Sequence, residues 1–350
     1  MAAAQARVFA APFAGRGAQL RAAGTSLLAV LRALITGGLL MVIAGGSPIS
    51  GYQAMLDGVV GTPLGTGPGL IQAAPLAIMG LGLALAFKGR VYNIGAEGQL
   101  VMGALAAGIV ALSLPSGLGG LLTFVGILAG ILAGAAWGGV VGGLRARWGV
   151  NEVITSLLLV YVAGLIFSWA IRDPFRDPGV SGLQGKRIPG STEFPTFSDM
   201  YVHPGVFVAI ALVPIFAYLL ARTPFGFRVR MLGLNQDAAE VAGVPRGRTI
   251  VLLMVISGGM AGLAGAIQVF GVTHGLDASI ASGLGFTAIV VALLGRLRPV
   301  GVLLAALFLA ALQTGGQAMA VNENLPYAIV LAIQGVFVVF LLIADKLARR

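Results

Sequence analysis

The stretch "FVGILAGILAGAAWGGVVGG", Phe124–Gly143, runs twenty residues without a charge, with glycine at every fourth position: Gly126, Gly130, Gly134, Gly138 and Gly142. An apolar run of this length suits a helix crossing a hydrocarbon layer about 30 Å thick. Residues four apart share one helix face, so the five glycines form a smooth ridge. Lipid tails are as apolar as leucine, so helices in a bilayer associate through close backbone approach, which small residues permit. A shorter ridge follows at Gly258, Gly262 and Ala266. Both ridges read as packing surfaces within the chain rather than as a dimer interface.

Composition extends this reading to all 350 residues, of which 58% are hydrophobic, 10% are charged and 54 are glycine. A water-facing domain carries about 25% charged residues. The expected class is an all-α integral membrane protein with about ten spans, near 27–46, 70–87, 99–114, 118–143, 150–171, 204–221, 250–270, 279–295, 299–317 and 326–344. The third and eighth are short enough to be broken or re-entrant. The net charge of +10 comes from short basic clusters between apolar runs, which fits the positive-inside rule better than nucleic-acid binding.

With the N-terminus in the cytoplasm, all but four of the 22 basic residues fall inside. The exceptions, Arg172, Arg176, Lys186 and Arg187, share one external loop with Asp173, Asp177, Glu193 and Asp199. The division is therefore a cytoplasmic extension over 1–26, a polytopic domain over 27–345, an external loop over 172–203, a cytoplasmic loop over 222–249 and a cytoplasmic tail over 346–350. Residues 33–46 read as part of a retained first helix rather than a cleaved signal. The external loop is a structured cap, a docking surface or a flexible connector.

Catalytic signatures are missing. There is no cysteine for disulfides, thiol chemistry or cysteine-bound metals. "GLQGKR" at 182–187 lacks the first glycine and the Ser/Thr of a phosphate-binding loop. His203 and His274 have no ligand-spaced third partner, so no metal site is expected. The spans hold almost no ionisable residues for ion coupling, which disfavours a secondary transporter or facilitator.

Two polar stretches stand out. "KGRVYNIGAEGQL", 88–100, places Asn93, Glu97 and Gln99 where an apolar segment begins. A carboxylate at bilayer depth costs about 2.5–3.5 kcal/mol. At a helix start Glu97 can instead face a helix dipole, an amide, an arginine or water. We expect a gate or helix-entry element at the cytoplasmic mouth, with Asn93 a candidate cap. The second stretch, "LGLNQDAAEVAGVP", reads as two turns of helix on the cytoplasmic side. Asn235 caps it, Asp237 and Glu240 suit its dipole, and Ala238, Ala239 and Ala242 give a small surface. Gly243 then fits a left-handed turn, and Pro245 stops the helix. Such a helix suits a groove on another protein better than a lipid surface.

This second stretch resembles the coupling helix of bacterial ABC-importer permeases, of the branch that includes ribose, branched-chain amino acid and nucleoside systems. The match runs through Gly233, Asn235, Ala238, Ala239, Ala242, Gly243 and Val244. "YNIGAEGQLVMGALAA" (92–107), "GVNEVITSLLLVYVA" (149–163) and the segment 283–316 resemble the same family, in family order. The "ALLG" and "NEVI" forms and the long N-terminal extension are most similar to BmpA-dependent nucleoside permeases.

The resemblance implies a vitamin-B12-importer-like (type II-like) architecture in a bacterial inner or plasma membrane, with both termini cytoplasmic. It implies a second, non-identical permease chain, two ATPase subunits or a fused ATPase, and an external substrate-binding lipoprotein. This chain is then not an enzyme and carries no cofactor, with ATP and magnesium on the ATPase. Nucleosides are the expected cargo, with ribose or other sugars and branched-chain amino acids as alternatives. Asn93, Gln99, Asn151, Gln268 and Thr273 are candidates to hydrogen-bond cargo, and Phe270 and Phe286 to stack on it. For each polar residue alone, a cap or inter-helix contact is the favoured reading.

Overall fold

The computed structural model describes residues 16–61, 63–179, 184–197 and 202–348. The first residues of the N-terminal extension, Gly182 and Leu183 of "GLQGKR", Asp199 and the last two tail residues lie outside them. The stretch expected as one polytopic domain divides into two compact units, Thr62–Ala311 and Met1–Gly61 with Leu312–Arg350.

The smaller unit holds α1 (Arg16–Ile43), α2 (Pro48–Leu56), the end of α12 (Pro299–Asn322) and α13 (Tyr327–Ala348). No expected span covers α2. Pro48 at its first turn is preorganised for a helix start. Glu323 accepts the Ser47 N–H at 2.9 Å, and the Tyr52 hydroxyl donates to the Leu34 carbonyl at 2.6 Å. The segments Val30–Ile43 and Pro48–Gly61 bend by 117° at the break between them.

The larger unit contains, in chain order, α3 (Pro63–Lys88), α4 (Ala96–Ser113), α5 (Gly120–Trp148), α6 (Glu152–Arg172), β1 (Gln184–Arg187), α7 (Pro204–Arg222), α8 (Pro224–Leu234), α9 (Gln236–Val241), α10 (Arg246–Gln268), β2 (Gly275–Asp277) and α11 (Leu284–Leu294). A helix lies over each of the ten expected spans. Among the described residues seven helices are long and apolar enough to cross a membrane, or eight if the bent pair counts as one span. The last expected span is a shorter apolar helix, Ala328–Ala344, and the eighth is a 3-10 turn, Ala278–Ala281, followed by the 11-residue α11.

The two glycine ridges meet each other. α5 and α10 pack antiparallel. Gly130 lies against Ala266, where a methyl group would stand 2.9 Å from the Ala266 Cβ and 3.0 Å from the Gly103 carbonyl oxygen. A methyl group on Gly134 would overlap the Gly258 carbonyl, and one on Gly138 the Met254 carbonyl. At Gly142 it would stand 3.0 Å from the Val251 Cα. From the other side, a methyl group on Gly262 would overlap the Gly130 carbonyl. α4 closes on the same seam, where Gly103 faces Gly262 and Gly265 faces the Leu100 carbonyl without room for a side chain. Three backbones thus approach where larger residues would hold them apart.

The described part of the 172–203 loop is fastened down. β1 pairs antiparallel with β2, Gln184 opposite Asp277 and Arg187 opposite Gly275. Phe194 donates its N–H to the Phe270 carbonyl at 2.9 Å, and the Thr123 hydroxyl donates to the Thr192 carbonyl at 2.9 Å.

Candidate functional site

Glu97 lies one residue into α4 and is buried. Its two carboxyl oxygens accept the backbone N–H groups of Gly283 (2.7 Å) and Gly285 (2.6 Å). Those amides open α11, whose N-cap Gly283 has no capping side chain of its own. Glu97 therefore faces the dipole of a different helix from the one it begins, and it caps α11 from a distance in sequence. Each hydrogen bond to a charged group contributes about 1.5–3 kcal/mol, and both act against the burial cost of the acid. Gly283 sits at φ +85°, a left-handed conformation that glycine adopts without penalty.

A groove of about 470 Å³ opens beside this junction, walled by α4, α6 and the start of α11. Its lining is mostly apolar, including Val101, Val160, Leu165 and Phe167, with Glu97 and Ser168 as polar groups. Tyr161 and Phe286 flank it and are 68% and 42% exposed. Glu97 and Phe286 are thus brought to one groove.

Asn93 and Gln99 lie behind it in a closed network. Asn93 Nδ2 donates to Gln99 Oε1 (2.8 Å) and Ser257 Oγ (2.9 Å), and Gln99 Nε2 donates to Asn93 Oδ1 (3.0 Å). Asn93 is not the cap of α4, because Gly95 holds that position. Asn151 caps α6, accepting the Val153 N–H at 2.9 Å. The Thr273 hydroxyl turns back to the Gln268 and Gly275 carbonyls at the end of α10. Phe270 is fully buried against Phe194 and over Gly126, and offers no free face for stacking in this conformation.

Sequence reading missed Ser156, Ser257, Arg145 and Glu152. Glu152 pairs with Arg145 and accepts the Tyr92 N–H at 3.2 Å. The "NEVITS" stretch carried one usable signal, since residues 152 and 156 share a helix face.

The second candidate site is α9. Asn235 accepts N–H groups from Asp237 (3.0 Å) and Ala238 (3.1 Å). Gly243 lies at φ +82°, and the Val244 N–H returns to the Ala239 carbonyl at 2.9 Å. The helix is six residues long between its caps, shorter than two full turns. Arg246 ties it to α10 through Asp237 at 3.0 Å. The small surface needs one correction: Ala239 is fully buried within the chain. Asp237, Ala238, Glu240, Ala242 and Gly243 are exposed, together with Val241 at 91%, which sequence reading overlooked.

Among the described residues no three His, Cys, Asp or Glu side chains are arranged to hold a metal ion. At the end of the fold carrying β1 and β2, the His203 Nδ1 accepts the Gly205 N–H at 3.1 Å and caps α7. Its Nε2 is buried without a hydrogen-bond partner. Burial, and secondarily the proximity of His274, pulls its pKa down to about 4.

A glycine-seamed bundle of apolar helices, with a mostly apolar groove and an exposed, capped short helix, fits a polytopic membrane permease. Residues 66–344 match the family described as branched-chain amino acid transport system / permease component, and the chain belongs to that family. It is similar to the glucose ABC transporter permease protein TsgB13 of Haloferax volcanii, 37% identical over 93% of this chain and 88% of the relative. It is also similar to the nucleoside ABC transporter permease protein NupB of Lactococcus lactis, 32% identical over 90% of this chain and 89% of the relative. The guanosine ABC transporter permease protein NupP of Bacillus subtilis is likewise 32% identical, over 90% and 91%. The chain is a permease subunit of an ABC transporter.

Proposed function

We propose that this chain forms half of the translocation pathway of an ATP-driven nucleoside importer. The observation that carries the cargo assignment is the groove of Glu97, Ser168, Tyr161 and Phe286. Exposed aromatic faces suit a flat base, and two polar groups suit a neutral, hydroxyl-rich solute. The nucleoside and guanosine relatives agree with this cargo. A second reading, import of a hexose, is favoured by the glucose relative. ATP and magnesium bind to separate ATPase subunits, which receive α9 in a cleft and move it. A second, non-identical permease chain completes the pathway, and an external binding lipoprotein delivers cargo and sets most of the specificity. The membrane is the bacterial cell membrane, with both termini in the cytoplasm.

The test is reconstitution of the chain in proteoliposomes with its co-encoded permease, ATPase and binding protein. ATP-dependent uptake of labelled guanosine, unaffected by excess glucose, is the expected result. Glucose uptake without guanosine uptake selects the second reading. Uptake driven by an ion gradient without the ATPase overturns both.

A further inference from the structure

Gly89–Gly95 has no regular secondary structure, yet Val91 and Asn93 within it are fully buried. Irregular backbone in a membrane protein persists only where the protein satisfies its polar groups. Here Glu152 accepts the Tyr92 N–H and Ser156 Oγ the Ile94 N–H, each at 3.2 Å, so α6 holds this segment at two successive turns.

Both ends of the segment are gripped. At the outer end, a methyl group on Gly233 of α8 would overlap the Lys88 carbonyl oxygen. One on Gly89 would lie 2.5 Å from Leu253 Cδ1 and 3.7 Å from Leu232 Cδ2. α8 and α9 share Asn235, the C-cap of one and the N-cap of the other, so no slack separates them. At the inner end Asn93 is locked to Gln99 and Ser257, and two residues past Gly95 stands Glu97, which holds the start of α11.

We infer that Gly89–Gly95 is a transmission strap, carrying displacement of the α8–α9 pair to Glu97 and so to the end of α11 at the groove. Glu152 and Ser156 are positioning residues that keep the strap from going slack. The inference rests on the coupling role proposed for α9, and adds the route by which its movement reaches the pathway.

The chain has no cysteine, so labelling of this chain in a Tyr92→Cys variant, read on its own gel band, reports on the strap alone. In the full reconstituted transporter, the rate of maleimide labelling at that position is compared between the nucleotide-free state and a trapped ATP-bound state. A several-fold difference is expected. Glu152→Gln combined with Ser156→Ala is expected to cut uptake per ATP hydrolysed about tenfold and to erase the labelling difference. Equal labelling rates in the two states, with ATP-driven uptake intact, overturn the strap and leave the coupling role of α9 standing. Should the double variant fail to assemble, the labelling comparison in the otherwise unaltered chain decides alone.

Discussion

Glu97 is the residue on which the buried half of the groove turns. Its oxygens are matched to two N–H donors, so an amide in its place must turn a donor toward one of them. Glu97→Gln should lower stability by about 2 kcal/mol and reduce uptake, while the order of preference among nucleosides stays the same. A thermal melt in detergent and a competition assay check the two halves of that statement. His203 supports a pH prediction. Its folded pKa, about 4, lies below the ordinary 6.5, so the unfolded chain takes up the proton first as pH falls. The associated stability is present above 6.5 and is lost as pH drops toward 4. His203→Asn, which keeps a capping acceptor, should flatten the fall in melting temperature between about pH 7 and about pH 4.5. Sequence alone shows that Glu97 needs a partner. It does not show that Gly283 and Gly285, nearly two hundred positions away, supply it, because no local pattern encodes that closure.

At the scale of elements, local rules were readable and pairings were not. Capping chemistry acts within a few residues, so Asn235 and Gly243 located α9. The four-residue spacing located both ridges, but periodicity does not name a partner, and contacts such as Gly130 with Ala266 emerge only in three dimensions. α2 and α8 were missed although Ser47-Pro48 and Thr223-Pro224 are helix-start signals, because a hydropathy reading passes over short helices. Gly134→Leu should abolish assembly of the bundle, since the Gly258 carbonyl occupies the space. Gly143→Ala, with nothing within 4 Å of the added carbon, should be tolerated or slightly stabilising by helix propensity. Detergent-extractable yield and melting temperature separate the pair. On α9, Val241→Asp should leave yield unchanged while reducing ATP-driven uptake at least tenfold, as expected if the exposed valine seats in an apolar cleft. Uptake at the normal level in that variant would remove α9 from the coupling role.

For the whole molecule, the membrane class follows from composition, because so few charges cannot cover a water-facing surface. The span count is less secure in sequence, since the 11-residue α11 and the bent pair Val30–Ile43 and Pro48–Gly61 are apolar without being full-length rods. Cargo identity is the least legible, because the groove draws Glu97, Ser168 and Phe286 from three separate helices. The basic-residue asymmetry does make a testable statement about orientation. Single cysteines at Arg187 and Asp237, whose side chains are 72% and 89% exposed, should react with an impermeant maleimide from opposite sides of the membrane. Arg187→Cys should label in intact cells, and Asp237→Cys only after the membrane is opened.

The seam where α4, α5 and α10 meet has a mechanical consequence. Side chains can change rotamer and let neighbouring helices slide, but backbones in direct contact through glycine have no such play. From Leu100 of α4 onward these three helices make a stator, and the first turn of α4, which carries Glu97, stays outside that seam. Alternating exposure of the pathway must then come from the parts hung upon it, α6 and the half-length α11, which border the groove and carry the hydroxyl, aromatic and capped ends that face it.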